Sequence, residues 1–95
     1  MQTFISVKYE VKFTGGALRD LDALPSAIAW AVLAFCDGPL AENSKRVGKA
    51  LRNQLNGLHS ARRGESRIIY RVDETVVTVD VVRIRHRAQA YQGKA

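Results

Sequence analysis

Residues 57–84, GLHSARRGESRIIYRVDETVVTVDVVRI, decide the fold predicted for this chain. Valine and isoleucine, which favour strands, are concentrated in the segments SRIIYRVD and TVVTVDVVRI. The short connection Asp73–Glu74 joins these two segments as a hairpin, and strand structure already begins at Leu58. The mainly apolar content of residues 76–82 predicts a central strand that is covered on both faces.

Alternation divides the side chains of SRIIYRVD between the two faces of the predicted sheet. The arginines Arg67 and Arg71 fall on one face. The opposite face takes the apolar set Ile68, Tyr70 and Val72. We therefore predict one packed face and one open, cationic face. The neighbour expected on the open face comes from the next strand and is Arg83 or Arg85.

The N-terminal half predicts one strand followed by two helices. Residues 4–13, FISVKYEVKF, alternate between apolar and polar, which is the pattern of a half-buried strand. Thr14 offers an N-cap oxygen to a first helix, whose apolar residues recur at helical spacing from Ala17 to Leu24. Pro25 interrupts that helix and starts a second one, PSAIAWAVLAFC, which packs against the first as a hairpin.

The second helix supplies many of the apolar side chains of the predicted core. Ile28, Val32 and Phe35 lie on one apolar stripe of this helix, and Trp30 and Leu33 flank the stripe. All five are predicted to belong to the core. Cys36 ends this stripe and is interpreted as a small buried side chain rather than as a nucleophile. A single cysteine forms no intramolecular disulfide and no metal-ligand set, as suits a reducing cytoplasm.

The remaining segments complete an α+β fold. Residues 37–45 are predicted to form a loop, because Asp-Gly-Pro punctuates them. Residues 45–57 fit either a helix or an irregular chain at the sheet edge, and the basic tail after Ile84 fits a short final helix. The predicted order β-α-α-β-β-β places a two-helix hairpin on one face of a mainly antiparallel sheet. Since the chain has 95 residues, one domain over residues 1–95 is expected.

Charge is distributed unevenly along the chain, whose formal net charge is +6. Residues 1–44 contain three Lys/Arg and five Asp/Glu, whereas residues 45–95 contain twelve and four. The basic half indicates a polyanionic partner, above all nucleic acid, although a basic surface also serves solubility. No apolar run approaches the roughly 20 residues that span a bilayer, and the start does not resemble a secretion signal.

Basic residues and two candidates for proton transfer remain after the usual catalytic motifs are excluded. The sequence shows no Gly-rich phosphate loop, no His/Cys metal set and no Ser-His-Asp pattern, so neither a metal nor a cofactor is predicted. Guanidinium groups match phosphate oxygens, so an arginine-lined sheet face is suited to binding an RNA backbone. The candidate set is Lys49, Arg52, Arg62, Arg63, Arg67, Arg85, His86, Arg87 and Tyr91.

Metal-free RNA cleavage needs a base, a proton donor and cations that offset the developing charge. Tyr91 is the candidate base, because nearby arginines would favour its phenolate. The alternative is that its ring anchors the tail on the sheet. His86 is the candidate second participant, because imidazole exchanges protons near neutral pH. The alternative is an exposed residue at the end of a strand.

Two segments resemble the RelE/ParE superfamily of bacterial toxins, and most of all its RelE branch. They are GKALRNQLNGLHSARRGESRIIYRVDE and VVTVDVVRIRHRAQAY. The positions that match the family pattern are Gly57, Leu58, Arg62, Gly64, Glu65, Arg67, Ile68, Ile69, Tyr70, His86, Arg87 and Tyr91.

The resemblance implies a type II toxin that enters the ribosomal A site and cuts the mRNA there. Arg67 would stabilise the phosphate in the transition state, and Arg85 or His86 would protonate the leaving group. Tyr91 would help to activate the ribose 2′-hydroxyl and would stack on a base. The implied backbone contacts are Arg62 and Lys49. The resemblance also implies a cytoplasmic protein that a small antitoxin holds inactive in a hetero-oligomer.

Two positions depart from the family pattern. Ser66 stands where the family usually has a tyrosine before the strand arginine, and Ser60 stands where basic residues are frequent. Both changes would reduce or alter the activity. The alternatives to a nuclease are a ParE-like toxin that inhibits DNA gyrase and an RNA-binding module without chemistry. Tyr91 and the concentrated basic strand residues favour the nuclease over the gyrase inhibitor.

Overall fold

The computed structural model describes residues 8–51 and 57–86. Its strands are β1 (Glu10–Phe13), β2 (Gly48–Ala50), β3 (Leu58–Arg63), β4 (Ser66–Asp73) and β5 (Thr78–His86). Its helices are α1 (Gly15–Asp22) and α2 (Ser26–Phe35), and α2 continues into a π-helical turn, Cys36–Leu40. Residues 4–7 of the predicted first strand and residues 87–95 of the predicted tail helix lie outside the described residues. Residues 8 and 9 precede β1, and Arg85 and His86 belong to β5 rather than to a tail helix.

The strands form one sheet in the order β1-β5-β4-β3-β2. β1 runs parallel to β5, and every other neighbouring pair is antiparallel. The predicted α+β fold, with a helical hairpin on a mainly antiparallel sheet, is confirmed. β2 is an additional short strand, and it lies in the segment 45–57 that the sequence pattern left open.

One face of the sheet and the helices enclose the core. Ile68 and Tyr70 of β4 are fully buried, as their predicted place on the packed face requires. The helical members of the same cluster are Ala17, Leu24, Val32, Phe35, Cys36 and Leu40. The predicted N-cap is confirmed, because the Thr14 hydroxyl accepts a 3.2 Å hydrogen bond from the N–H of Ala17. This cap fixes the start of α1 directly after β1.

Two predictions for the helical layer are wrong. Trp30, predicted to flank the core, is 71% exposed, because it lies two residues, or roughly 200°, from both Ile28 and Val32. Residues 37–45, predicted to form a loop, begin with the π-helical turn, and helical structure extends to Glu42. Burial of Leu40 holds this segment on the core despite its glycine and proline. No helix of the described ranges is long and apolar enough to cross a membrane.

The connection between β4 and β5 is longer than predicted. Residues 74–77 form a turn, so β5 begins only at Thr78. Asp73 Oδ1 accepts a 2.9 Å hydrogen bond from the N–H of Thr75, which favours a turn over a continued strand. Val76 is consequently 61% exposed, and Val77 takes a φ of 53°, which is unusual for a β-branched residue.

Tyr70 joins the sheet to the segment that precedes β2. Its hydroxyl donates a 2.5 Å hydrogen bond to the backbone carbonyl of Ser44, and its ring stacks on His59 with centroids 5.5 Å apart. The hydroxyl also lies against Gly48, where a Cβ would contact it and would lie 2.7 Å from the carbonyl oxygen of Ser60. Position 48 therefore requires glycine.

Replacing Tyr70 with phenylalanine is expected to lower the free energy of unfolding by about 1–3 kcal/mol. The change leaves the carbonyl of Ser44, a buried residue, without its Tyr70 donor. Urea denaturation of both proteins measures the loss. Tyr9→Phe is the matched control, because Tyr9 is only partly buried. Equal losses in the two variants would contradict a specific role for the Tyr70 hydrogen bond.

Candidate active site

A β-bulge in β5 sets the face on which its arginines lie. The register between β4 and β5 shifts after Ile69, so Val82 has no partner in β4. Val81 and Ile84 are three positions apart, yet both are fully buried on the packed face. Bulges re-aim side chains in this way and are frequent next to active sites. The residue after Ile84, Arg85, therefore lies on the open face.

Three arginines lie side by side across three neighbouring strands. Arg67 of β4 pairs with Arg62 of β3 on one side and with Arg85 of β5 on the other. All three are exposed, and directly opposite residues have Cβ atoms about 4.5–5.5 Å apart. We call these three residues the arginine row. It agrees with the predicted cationic face and identifies Arg85, rather than Arg83, as the cross-strand neighbour of Arg67.

The arginine row lines a cleft of about 510 Å³. The other residues that line it are Glu65, Ser66, Ile69 and His86. The lining of this cleft thus includes a carboxylate and an imidazole, both able to transfer protons, although His86 follows Arg85 and pairs with the buried Ser66, on the other side of the sheet from the row. Within the described ranges, no group of three or more His, Cys, Asp or Glu residues is arranged to hold a metal ion.

The carboxylate of Asp20 acts on the arginine row through its charge, since the positive charge of Arg85 helps to lower the pKa of Asp20. Two ion pairs of the described ranges, Lys45–Glu74 and Arg83–Asp20, contain no residue of the row. Like charges on directly opposite strand positions repel each other. An anion bound between them would remove that repulsion, and a phosphate matches the donor geometry of guanidinium groups.

Arg83 is held by Asp20 of α1 instead of joining the row. Its Nε donates a 2.8 Å hydrogen bond to Asp20 Oδ2, and its Nη2 donates a 3.2 Å bond to Oδ1. Burial acts to raise the pKa of Asp20. The hydrogen bonds from Arg83 and from the N–H of Ile84 outweigh burial and bring that pKa below its ordinary value. The same carboxylate raises the pKa of Arg83, so this pair is ionised.

The other predicted site residues are placed differently. Lys49 of β2 is exposed and pairs with Ser60, on the same face as the arginine row. Arg63 is also exposed, but it follows Arg62 in β3 and so points to the other side of that strand. The structure therefore does not bring Arg63 into the row. Three predicted residues lie outside the described ranges: Arg52, Arg87 and Tyr91.

Glu65 is a residue of the cleft to which the sequence pattern assigned no role. It lies in the two-residue turn between β3 and β4, where Gly64 adopts a φ of 62°. Its place in the cleft could have been predicted from its position between Arg62 and Arg67 in the sequence, because a tight turn brings a carboxylate to the end of both strands. Ser66, where the family pattern has tyrosine, also lines this cleft and is 2% exposed.

Comparisons with known proteins identify the family. A family model described as the ParE toxin of the type II toxin–antitoxin system parDE matches residues 11–91. Toxin RelE of Mycobacterium tuberculosis is 46% identical over 84 residues, which are 88% of this chain and 87% of the relative. Toxin RelG of the same organism is 48% identical over 84 residues, which are 88% of this chain and 97% of the relative.

A solved structure agrees with these relatives. The toxin–antitoxin complex RelBE2 of Mycobacterium tuberculosis contains a chain that superposes with a TM-score of 0.84 and 49% sequence identity. The match covers 86% of this chain and 94% of that one. The resemblance of the sequence to RelE/ParE toxins is thereby confirmed. This chain belongs to the ParE/RelE family of type II toxin–antitoxin toxins.

Proposed function

We propose that this toxin is a ribosome-dependent endoribonuclease that cuts mRNA in the ribosomal A site. The observation that carries the proposal is the arginine row, which shares one cleft with Glu65 and His86. Preorganised cations at the position where charge develops often supply the largest single share of catalysis. The cleft thus combines charge stabilisation with groups that accept and donate protons.

In the proposed reaction, the ribose 2′-oxygen attacks the adjacent phosphorus and the bond from phosphorus to the 5′-oxygen breaks. The products are a 2′,3′-cyclic phosphate and a free 5′-hydroxyl. The 2′-hydroxyl gives its proton to a base, Tyr91 or Glu65, and the leaving 5′-oxygen receives one from Arg85 or His86. Arg67, at the centre of the row, offsets the charge on the phosphate oxygens, so the proposed mechanism needs no metal.

Purified protein incubated with programmed ribosomes tests the proposal. Primer extension on the mRNA is expected to show cuts at the A-site codon. Because the matching family model is that of ParE, inhibition of DNA gyrase is the alternative, and a supercoiling assay detects it. Gyrase inhibition without mRNA cuts would replace the proposal. Salt-sensitive RNA binding without cleavage would indicate a binding module.

We also propose that a cognate antitoxin binds and inhibits this chain in a hetero-oligomer. The RelBE2 structure contains a similar toxin with its antitoxin. Leu18 and Trp30 expose 54% and 71% of their surfaces on the two helices, and exposed apolar side chains of this size suit a protein partner. An acidic, amphipathic partner would also complement the basic second half of the chain. A ribosomal target places the proposed activity in the cytoplasm.

Replacing Arg62 with alanine is expected to lower ribosome-dependent cleavage at least tenfold more than replacing Arg63 does. The two residues are adjacent on β3, and each substitution removes one positive charge. Arg62 belongs to the arginine row, whereas Arg63 points away from it. Rates of A-site cleavage under single-turnover conditions measure the difference. Equal losses would show that only net charge matters and that the row has no special role.

A further inference from the structure

The first helix holds the segment of β5 that contains the bulge. The Thr14 hydroxyl donates a 2.9 Å hydrogen bond to the carbonyl of Val82, the extra residue of the bulge. Asp20 Oδ2 accepts a 2.8 Å hydrogen bond from the backbone N–H of Ile84. β1 pairs only with residues 78–81 of β5, so α1 continues along the edge of β5 that β1 leaves uncovered.

Asp20 contacts both the backbone and a side chain of this segment. Its carboxylate receives the N–H of Ile84 and two donors of the Arg83 guanidinium, at 2.8 Å and 3.2 Å. The Asp20 side chain is only 15% exposed, so water competes little for these bonds. The residue that follows immediately is Arg85 of the arginine row.

The location of the bulge decides which way Arg85 points. A bulge can be accommodated at more than one residue of a strand. If the bulge moves along the strand, the residues between its old and new positions change register by one and turn to the opposite face of the sheet. If the extra residue lay after Arg85, that arginine and Arg83 would turn towards the core, and Ile84 would turn to the open face. The bonds from Thr14 and Asp20 oppose such a shift, because they require the Val82 carbonyl and the Ile84 N–H to face α1.

We propose that Asp20 is a positioning residue, which keeps Arg85 aligned with Arg67 and Arg62 through its hydrogen bonds to the Arg83 guanidinium and to the backbone N–H of Ile84. The role rests on the proposed nuclease function, since it is the arginine row that Asp20 keeps in order. Asp20 also binds the guanidinium of Arg83, which lies opposite Ile69 and not opposite Arg67. Asp20 touches neither substrate nor reacting atoms in this role.

Charge and position make opposite predictions for Asp20→Asn. Removal of a carboxylate near the arginine row makes its surroundings more positive, which favours binding of RNA phosphates. Loss of the hydrogen bonds from Asp20 to Arg83 and Ile84 misplaces Arg85. Small misplacements of a catalytic group can lower a rate by up to about 100-fold. We therefore expect kcat for ribosome-dependent cleavage to fall about tenfold or more, while KM stays unchanged or decreases.

Asp22→Asn is the matched control, because Asp22 is an exposed carboxylate at the end of the same helix. It removes the same charge without touching β5 and is expected to cleave at the wild-type rate. In an Arg85→Ala background, Asp20→Asn is expected to cause no further loss, because the two residues act through one group. A loss equal to that of Asp22→Asn, or the same fold-loss with and without Arg85, would overturn the proposal.

A readout without cleavage separates this inference from the proposed function. Two observables test the role of Asp20 in the isolated protein. The NMR resonance of the Arg85 Nε–H reports the surroundings of that side chain, and the hydrogen exchange of the Ile84 amide reports its hydrogen bond to Asp20. Asp20→Asn is expected to shift the resonance and to accelerate the exchange, whereas Asp22→Asn leaves both unchanged. An unshifted Arg85 resonance overturns the positioning role even if the wild type cuts mRNA. Absence of cleavage by the wild type overturns the proposed function alone.

Discussion

Replacing Arg67 with alanine is expected to lower ribosome-dependent mRNA cleavage by about 10²–10³-fold. Arg67 is the middle member of the arginine row and is flanked by Arg62 and Arg85 on the neighbouring strands. A phosphate that contacts all three guanidinium groups must lie over Arg67, so its removal leaves a gap where the negative charge develops. Single-turnover cleavage of mRNA on programmed ribosomes measures the effect.

Two further variants make this result specific. Arg67→Lys keeps the charge but loses the planar donor fork, so it is expected to recover only part of the lost rate. Arg19→Ala removes an exposed arginine of α1 and is expected to cleave normally. Because Arg67 is exposed, its replacement is expected to leave the midpoint of urea unfolding nearly unchanged. An Arg67→Ala protein that cuts at the wild-type rate would remove the arginine row from the mechanism.

The strand pattern of the sequence was sufficient to place half of this site. Alternation along β4 separates Arg67 and Arg71 from Ile68 and Tyr70, and the structure has the first pair exposed and the second fully buried. The prediction succeeds because a slip by one residue would bury two arginines and expose the core of the sheet. Such a large cost makes the two-residue period a reliable signal.

The sequence indicates Arg83 or Arg85 as the neighbour of Arg67, but the choice of Arg85 depends on a bulge that no local pattern encodes. Strict alternation from Val81 would have put Arg83 and Arg85 on the packed face. The extra residue at Val82 instead turns the side chain of Ile84 into the core. Hydrogen bonds from Thr14 and Asp20, more than 60 positions away in the chain, hold the backbone of Val82 and Ile84 in place. Only the tertiary structure brings these groups together.

The errors in the helices and in the turn have a similar origin. The sequence pattern places Trp30 beside the apolar stripe of α2, but its angular position directs it away from Ile28 and Val32. Valine favours strands, but at Val76 the carboxylate of Asp73 captures the backbone and forms a turn. In both cases a specific geometric constraint outweighs an average preference of the side chain.

Stability is expected to fall steeply as the pH rises above about 9, because two buried acids must ionise when the protein unfolds. Burial raises the pKa of the Cys36 thiol from 9.0 to about 12 and that of the Tyr70 phenol from 10.0 to about 12. The folded protein therefore holds protons that the unfolded chain releases, so stability is complete below pH 9 and is lost as the pH rises towards 12.

At about 1.4 kcal/mol for each pKa unit, the loss attributable to Cys36 approaches roughly 4 kcal/mol by pH 12, and Tyr70 adds roughly 3 kcal/mol. Urea unfolding at a series of pH values from neutral upwards measures the loss. Cys36→Ala is expected to be less stable at neutral pH, because it loses buried volume, but to lose less stability on going to alkaline pH. Tyr70→Phe is expected to flatten the profile mainly above pH 10, where a free phenol ionises. A profile as steep in Cys36→Ala as in the wild type would mean that the thiol does not control alkaline unfolding.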